Sequence, residues 1–238
     1  MDPQVLILAG FVVLAAGSLV LLSFGAGYRI GRLLASAPAS SIQGAVDAAA
    51  TGRGGYVRID GRIDGHDEFE DAAHRPLVYR RTRIQVRRGG SWRTVDEGVE
   101  SVPFEIGDGP DAIAVDRGSI GPGLVVLVRE STGRAGDLGE RLPAGTPADL
   151  PARAMVEQIS SIEHATVVGI PSRTPDGTAV MTGDARHPLI ITTVDRDEAM
   201  RLLAGGDRVR SFLAAALLGA GLLLVVAGLI VAAGQAIL

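Results

Sequence analysis

Two long stretches of this chain carry no charge: Val5 to Tyr28 near one end, and Phe212 to Leu238 at the other. Uncharged runs of this length constrain the fold more than any other feature. At 1.5 Å per residue, about 24 helical residues reach about 36 Å, enough to cross a hydrocarbon core of about 30 Å. Transmembrane helices are therefore expected over 5–28 and 208–237, which makes the lipid bilayer a partner. The alternative for the first stretch is a cleaved signal peptide, and Ala35-Ser36-Ala37 resembles an A-x-A cleavage site. Three features oppose it: the leading residues carry no positive charge, the apolar run exceeds the roughly 7–15 residues of a signal core, and Pro38 would follow the cut. An uncleaved anchor is expected.

The flanks set the orientation. Arg29 and Arg32 follow the first stretch, and Arg201, Arg208 and Arg210 precede the second. The positive-inside rule then puts the intervening loop in the cytoplasm and both termini outside, in a two-span protein of a cell membrane. Small residues also recur along both helices. Gly10, Gly17 and Gly31 share a seven-residue spacing, with Phe24 at the missing step, and Ala214, Gly221 and Gly228 repeat it. Such a stripe lets helix backbones approach closely. It predicts an antiparallel pair, or association with further copies as a homo-oligomer. The alternative is that Gly and Ala are simply abundant here.

Between the spans lies enough chain for one domain with its own core. Ile42, Ala45, Val46 and Ala49 fall at helical spacing behind Ser40 and Ser41, so a membrane-proximal helix is expected over 39–52, ended by Gly52, Gly54 and Gly55. From Gly55 the period becomes two: Val57, Ile59 and Ile63 alternate with Arg58, Asp60 and Arg62. Further strands are expected at Trp92–Val95, Val102–Ile106, Ala112–Val115, Leu124–Arg129, Met155–Ile159, Ala165–Ile170, Ala179–Met181 and Leu189–Val194. Turn signals such as Gly89-Gly90 and Pro175-Asp176-Gly177 separate them. The fold class is thus a mainly β soluble domain, a sandwich or barrel-like, over 55–194, inserted between two transmembrane α-helices. The Gly- and Pro-rich stretch Gly133–Pro151 reads as a flexible excursion. A short helix is expected over 195–206, with Asp195 and Glu198 as a capping box and a stop at Gly205-Gly206.

Composition removes several function classes. The net charge of −4 gives no reason to expect a nucleic-acid partner. The absence of Cys rules out disulfides, thiol nucleophiles and zinc ribbons, and the absence of Lys rules out P-loops and Schiff bases.

The order of parts resembles the membrane-adjacent GIDE or BAM ("beside a membrane") domain. That domain occurs in mitochondrial membrane-anchored RING ubiquitin ligases and in prokaryotic proteins lacking a RING. The resemblance rests on Gly55-Tyr56-Val57-Arg58-Ile59-Asp60-Gly61, Leu77-Val78-Tyr79-Arg80, Trp92, Val102-Pro103-Phe104-Glu105-Ile106, and Ala165-Thr166-Val167-Val168-Gly169 just before the return to the membrane. It implies a β domain held at the bilayer surface. A RING needs Cys and His ligands for two zinc ions, and this sequence has no Cys.

Candidate sites are few. Asp64 to Asp71 with His66 and His74 could hold a hard divalent cation, but the spacing does not fit an EF-hand, and a solvated acidic loop is the expectation. For the basic run Arg80, Arg81, Arg83, Arg87 and Arg88, local neutralisation by the preceding acids is the expectation, with contact to anionic lipid as the alternative. No nucleophile elbow and no G-x-G-x-x-G after a strand is present, so no catalytic residue, metal or cofactor is assigned. Tyr79, Trp92 and Phe104 are expected in the core or at a barrel end. The expected function is a binding or scaffold module at the membrane surface, engaging a protein partner there. The alternative is a ligase-like protein of a ubiquitin-type pathway that borrows a separate catalytic subunit.

Overall fold

The computed structural model describes residues 3–23, 25–143, 145–205 and 208–237. Phe24, at the missing step of the small-residue stripe, and Gly206, at the expected stop of the short helix, lie outside the described residues. The chain divides into two units, one of residues 1–32 with 200–238 and the other of residues 33–199.

The first unit is built on α1 (Pro3–Ser23) and α5 (Arg208–Ile237), with parts of α2 (Gly25–Ser36) and α4 (Arg196–Gly205). Helices α1 and α5 run antiparallel. A Cβ placed on Gly10 would lie 2.9 Å from the Gly221 carbonyl oxygen, and one on Gly17 would lie 3.0 Å from Leu218 Cγ. Ala214 and Gly228 are also buried. Among the described residues, one helical stretch, Phe212–Ile230, is long and apolar enough to cross a membrane, and the apolar stretch Gln4–Val20 is shorter.

The second unit is mainly β; strands make up 41% of the chain, with one sheet barrel-like. Five strands close a ring in the order β1 (Val57–Gly65), β5 (Phe104–Asp108), β6 (Asp111–Val115), β11 (Ala179–Thr182) and β10 (His164–Arg173), which pairs back to β1. The β6–β11 seam is parallel and short, with Val180 opposite Ala114 and Met181 opposite Val115. Strand β12 (Leu189–Thr192) also pairs with β10, and β7 (Ile120–Val125) pairs with β12. Alternation turns Ile59, Ile63, Ile106, Ile113, Val167 and Met181 inward, where they fill the core.

Helix α3 (Ile42–Thr51) packs Ile42 and Ala45 into the same core. Ser41 caps it, its Oγ accepting from the Gly44 amide at 3.0 Å, and Gly52 ends it at φ 63°. Gly61 matters for closure, because a Cβ there would come within 2.7 Å of the Gly107 carbonyl oxygen.

A second sheet joins β2 (Phe69–Glu70), β3 (Pro76–Arg88), β4 (Ser91–Ser101), β9 (Pro151–Ser160) and β8 (Arg129–Arg134). The β3–β4 hairpin turns through Gly89 and Gly90 at φ 57° and 83°, as a tight mirror-image turn requires. Two expectations need correction. Leu124–Arg129 is not one strand: β7 ends at Val125 in the first sheet and β8 begins at Arg129 in the second. Nor is Gly133–Pro151 a loose excursion. A 3-10 helix, Ala135–Arg141, seats fully buried Ala135 against Val86 and Ala152, with Val95, Leu138, Leu142 and Leu150 around them. Scattered apolar residues in a Gly- and Pro-rich stretch have no period, so the sequence hid this small core.

Candidate functional site

Strand alternation divides the basic run. Arg81 and Arg83 share one face of β3, beside Glu157 on β9, which is only 6% exposed. Arg81 Nε donates to Glu157 Oε2 at 2.5 Å and Arg83 Nη2 donates to the same oxygen at 2.9 Å. Arg81 also donates to the Gly121 carbonyl at 3.3 Å, reaching β7 of the other sheet. The enclosed carboxylate thus ties β9 to β3 within the second sheet, and Arg81 carries the link on to the first. Nearby Tyr79 is almost fully buried, and that burial pushes its hydroxyl pKa upward.

Arg80 points to the opposite face, pairs with Glu100 across the β3–β4 ladder and lies 5.3 Å over the Phe69 ring. Arg87 and Arg88 stay exposed at the hairpin tip next to Arg93. The five arginines therefore occupy three separate places, with Arg81 and Arg83 both held by Glu157. Phe104 and Tyr79 lie in the core as expected, but Trp92 is half-buried and covered by the Arg153 guanidinium 4.5 Å above its ring.

The acidic stretch folds into a turn. Asp71 accepts from the Arg75 amide at 3.0 Å, from Arg75 Nη2 at 2.6 Å and from the Ala73 amide at 2.8 Å. The Arg75 backbone and side-chain hydrogen bonds hold its carboxyl well below the usual carboxylate range. His74 Nδ1 lies 2.6 Å from Glu70 Oε2. Among the described residues, no three His, Asp or Glu side chains gather in a metal-binding arrangement.

Two open grooves score the surface of this unit. One, of about 820 Å³, runs over the second sheet between Arg80, Glu100, Arg129, Glu130 and Arg141. The other, of about 1020 Å³, lies on the outer face of β5, β6, β11 and β10. At its side Asp116 Oδ2 accepts from Ser119 Oγ at 2.5 Å and from Thr182 Oγ1 at 3.1 Å, and Oδ1 accepts from the Gly118 amide at 3.0 Å. Burial alone would raise the Asp116 pKa, but the bonds from Ser119, Gly118 and Thr182 outweigh it and leave the carboxyl below its ordinary value. Asp116 thus caps the turn at Arg117–Ser119.

A third feature is a small cavity between Arg58 and Arg196. Its only signal was Arg58 alternating outward on β1. Comparison with protein-family models, with curated proteins and with solved structures gives no match to this chain.

Proposed function

We propose that this chain is a membrane-anchored β module of the GIDE/BAM type. In this reading it crosses the bilayer twice and presents its β unit on the cytoplasmic side, as a binding or scaffold surface for a protein partner. Both termini lie outside.

One observation carries the reading. Helices α1 and α5 pair through glycines while their outward surface remains apolar. Leu8, Phe11, Leu19, Phe212, Leu223 and Ile230 are all more than half exposed. In water each such side chain forgoes about 1.5–3 kcal/mol of burial; in hydrocarbon that penalty vanishes. Small residues inside the pair and large apolar ones outside is the arrangement that lipid favours. Orientation draws its support from Arg29, Arg32, Arg201, Arg208 and Arg210, all on the loop side of the apolar stretches. A binding role draws support from the packed barrel interior, which leaves the outer faces and grooves as the accessible surface.

Reporter fusions at both ends test the topology. Alkaline phosphatase active at each terminus, with green fluorescent protein dark at each, is the expected result. Fluorescence at both ends reverses the orientation, and full release of the protein by alkaline carbonate removes the anchor.

A further inference from the structure

A cavity of about 200 Å³ lies where the chain joins and leaves the β unit. Its floor is the outer face of three neighbouring strands: Arg58 and Asp60 on β1, Thr166 on β10 and Thr192 on β12. The strand register assembles that floor, with Asp60 opposite Thr166 and Thr166 opposite Thr192. Leu34 of α2 and Arg196, the first residue of α4, complete the lining. Arg196 Nη2 donates to the Ala35 carbonyl at 2.8 Å and so ties the outgoing segment to the incoming one. The backbone of Arg58 is fixed as well: its amide donates to the Pro38 carbonyl and its carbonyl accepts from the Ser40 amide, both at 2.8 Å.

The polar groups here do not balance. Asp60 Oδ1 accepts from Thr166 Oγ1 at 2.5 Å. Asp60 Oδ2 stands 3.6 Å from Arg58 Nε, too far for a hydrogen bond. Arg58 Nε is enclosed and has no hydrogen-bond partner. Enclosed donors are seldom left unpaired, and each such case calls for an explanation. The lining carries two guanidiniums against one carboxylate, an excess of one positive charge. Its volume lies below the roughly 300–1,000 Å³ that encloses a drug-sized ligand, so only a small group fits.

We propose that this cavity binds a phosphate group held by Arg58 and Arg196, with Thr192 beside it. The planar guanidinium fork presents Nη donors that match phosphate oxygens two at a time, and the phosphate charge offsets the excess positive charge of the lining. A bound phosphate would bridge β1 to the start of α4 and brace the two segments through which the β unit connects to the apolar helices. The phosphate is either free or part of an anionic lipid headgroup. Only the lipid source rests on the membrane reading above.

The test uses the full-length protein in mild detergent, probed with inorganic phosphate at constant ionic strength and with short-chain phosphatidic acid. The readouts are the thermal unfolding midpoint and the adducts retained in native mass spectrometry. The expected result is a midpoint raised by several degrees and a retained adduct, with Arg58→Gln and Arg196→Gln each weakening binding at least tenfold. Arg173→Gln, an exposed arginine on the other groove, leaves binding unchanged. Response to inorganic phosphate assigns a free ligand, and response to phosphatidic acid alone assigns a headgroup. Without ligand, Arg58→Gln should unfold close to the parent, since the ion pair it removes is a long one, 3.6 Å, to a largely exposed Asp60. If that variant does not fold, Arg196→Gln, at an exposed position, decides alone. No response to either probe, or an equal loss in Arg173→Gln, overturns the proposal. A protein released by alkaline carbonate yet binding inorganic phosphate through Arg58 would sink the membrane reading and leave this one standing.

Discussion

Gly10 and Gly221 face each other backbone to backbone: a Cβ on Gly10 would lie 2.9 Å from the Gly221 carbonyl oxygen, and one on Gly221 would lie 3.0 Å from the Gly10 carbonyl oxygen. Each glycine therefore holds open the space that the other's main chain occupies. Helix pairs in lipid depend on such contacts, because burial of apolar surface gives no drive there.

Gly221→Leu should consequently part the pair. Overpacking of this kind costs about 1–3 kcal/mol. The chain has no native cysteine, so a Gly17→Cys, Leu217→Cys background reports the pairing by disulfide formation; the two Cβ positions are 3.2 Å apart. The crosslink should fall several-fold when Gly221→Leu is added. An undiminished yield would show that the glycines do not set the contact.

Glu157→Ala should be among the most damaging substitutions in the β unit. It strands the two guanidiniums paired with it across β3 and β9, and breaking a buried pair from one side costs about 3–5 kcal/mol. Glu100→Ala removes the partner of Arg80 at a half-exposed position, where such pairs are worth about 0–1 kcal/mol. Urea unfolding followed by Trp92 fluorescence separates the two. Equal effects would contradict a structural role for Glu157.

Acid should weaken the β unit through Asp71 and Asp116, whose folded-state pKa values lie below the ordinary carboxylate value. A depressed folded-state pKa adds stability that is complete above the unfolded pKa, about 3.9, and is lost as pH falls from there through the folded value. Melting temperature should therefore hold above about pH 5 and drop below about pH 4. Asp116→Asn should melt lower at neutral pH and show a flatter acid limb. A parallel pair of curves would remove Asp116 from the account.

Two glycines on the same hairpin should respond oppositely to alanine. Gly89 sits at φ 57°, where an L side chain costs about 1–2 kcal/mol. Gly98 has open space around its would-be Cβ and an ordinary backbone, so Gly98→Ala should gain about 0.4–1 kcal/mol by restricting the unfolded chain. Thermal melts of the two variants check the sign of each.

Much of the local structure was legible because its causes are local. Ser41 and Gly52 bound α3, Gly89-Gly90 turns the β3–β4 hairpin, and Ile59 and Ile63 alternate into the core, all within a few residues of their signals. The arginine run shows where that reach ends. Its alternation places Arg81 and Arg83 on one face, but nothing near them in sequence announces that Glu157 will meet both. Ala135 was unreadable for the same reason, since its neighbours Val86 and Ala152 come from distant strands.

From the sequence alone follow the uncharged apolar ends, the switch from helical to strand period at Gly55, and the exclusion of thiol and lysine chemistry, because length, periodicity and residue type act without a partner. Tertiary structure alone decided the ring closure of Val180 on Ala114, the neutralisation of Glu157, and the meeting of Arg58 with Arg196 around one cavity. Each of these joins residues far apart in the chain, and only the packed register of the strands brings them within range of a hydrogen bond or a shared ligand.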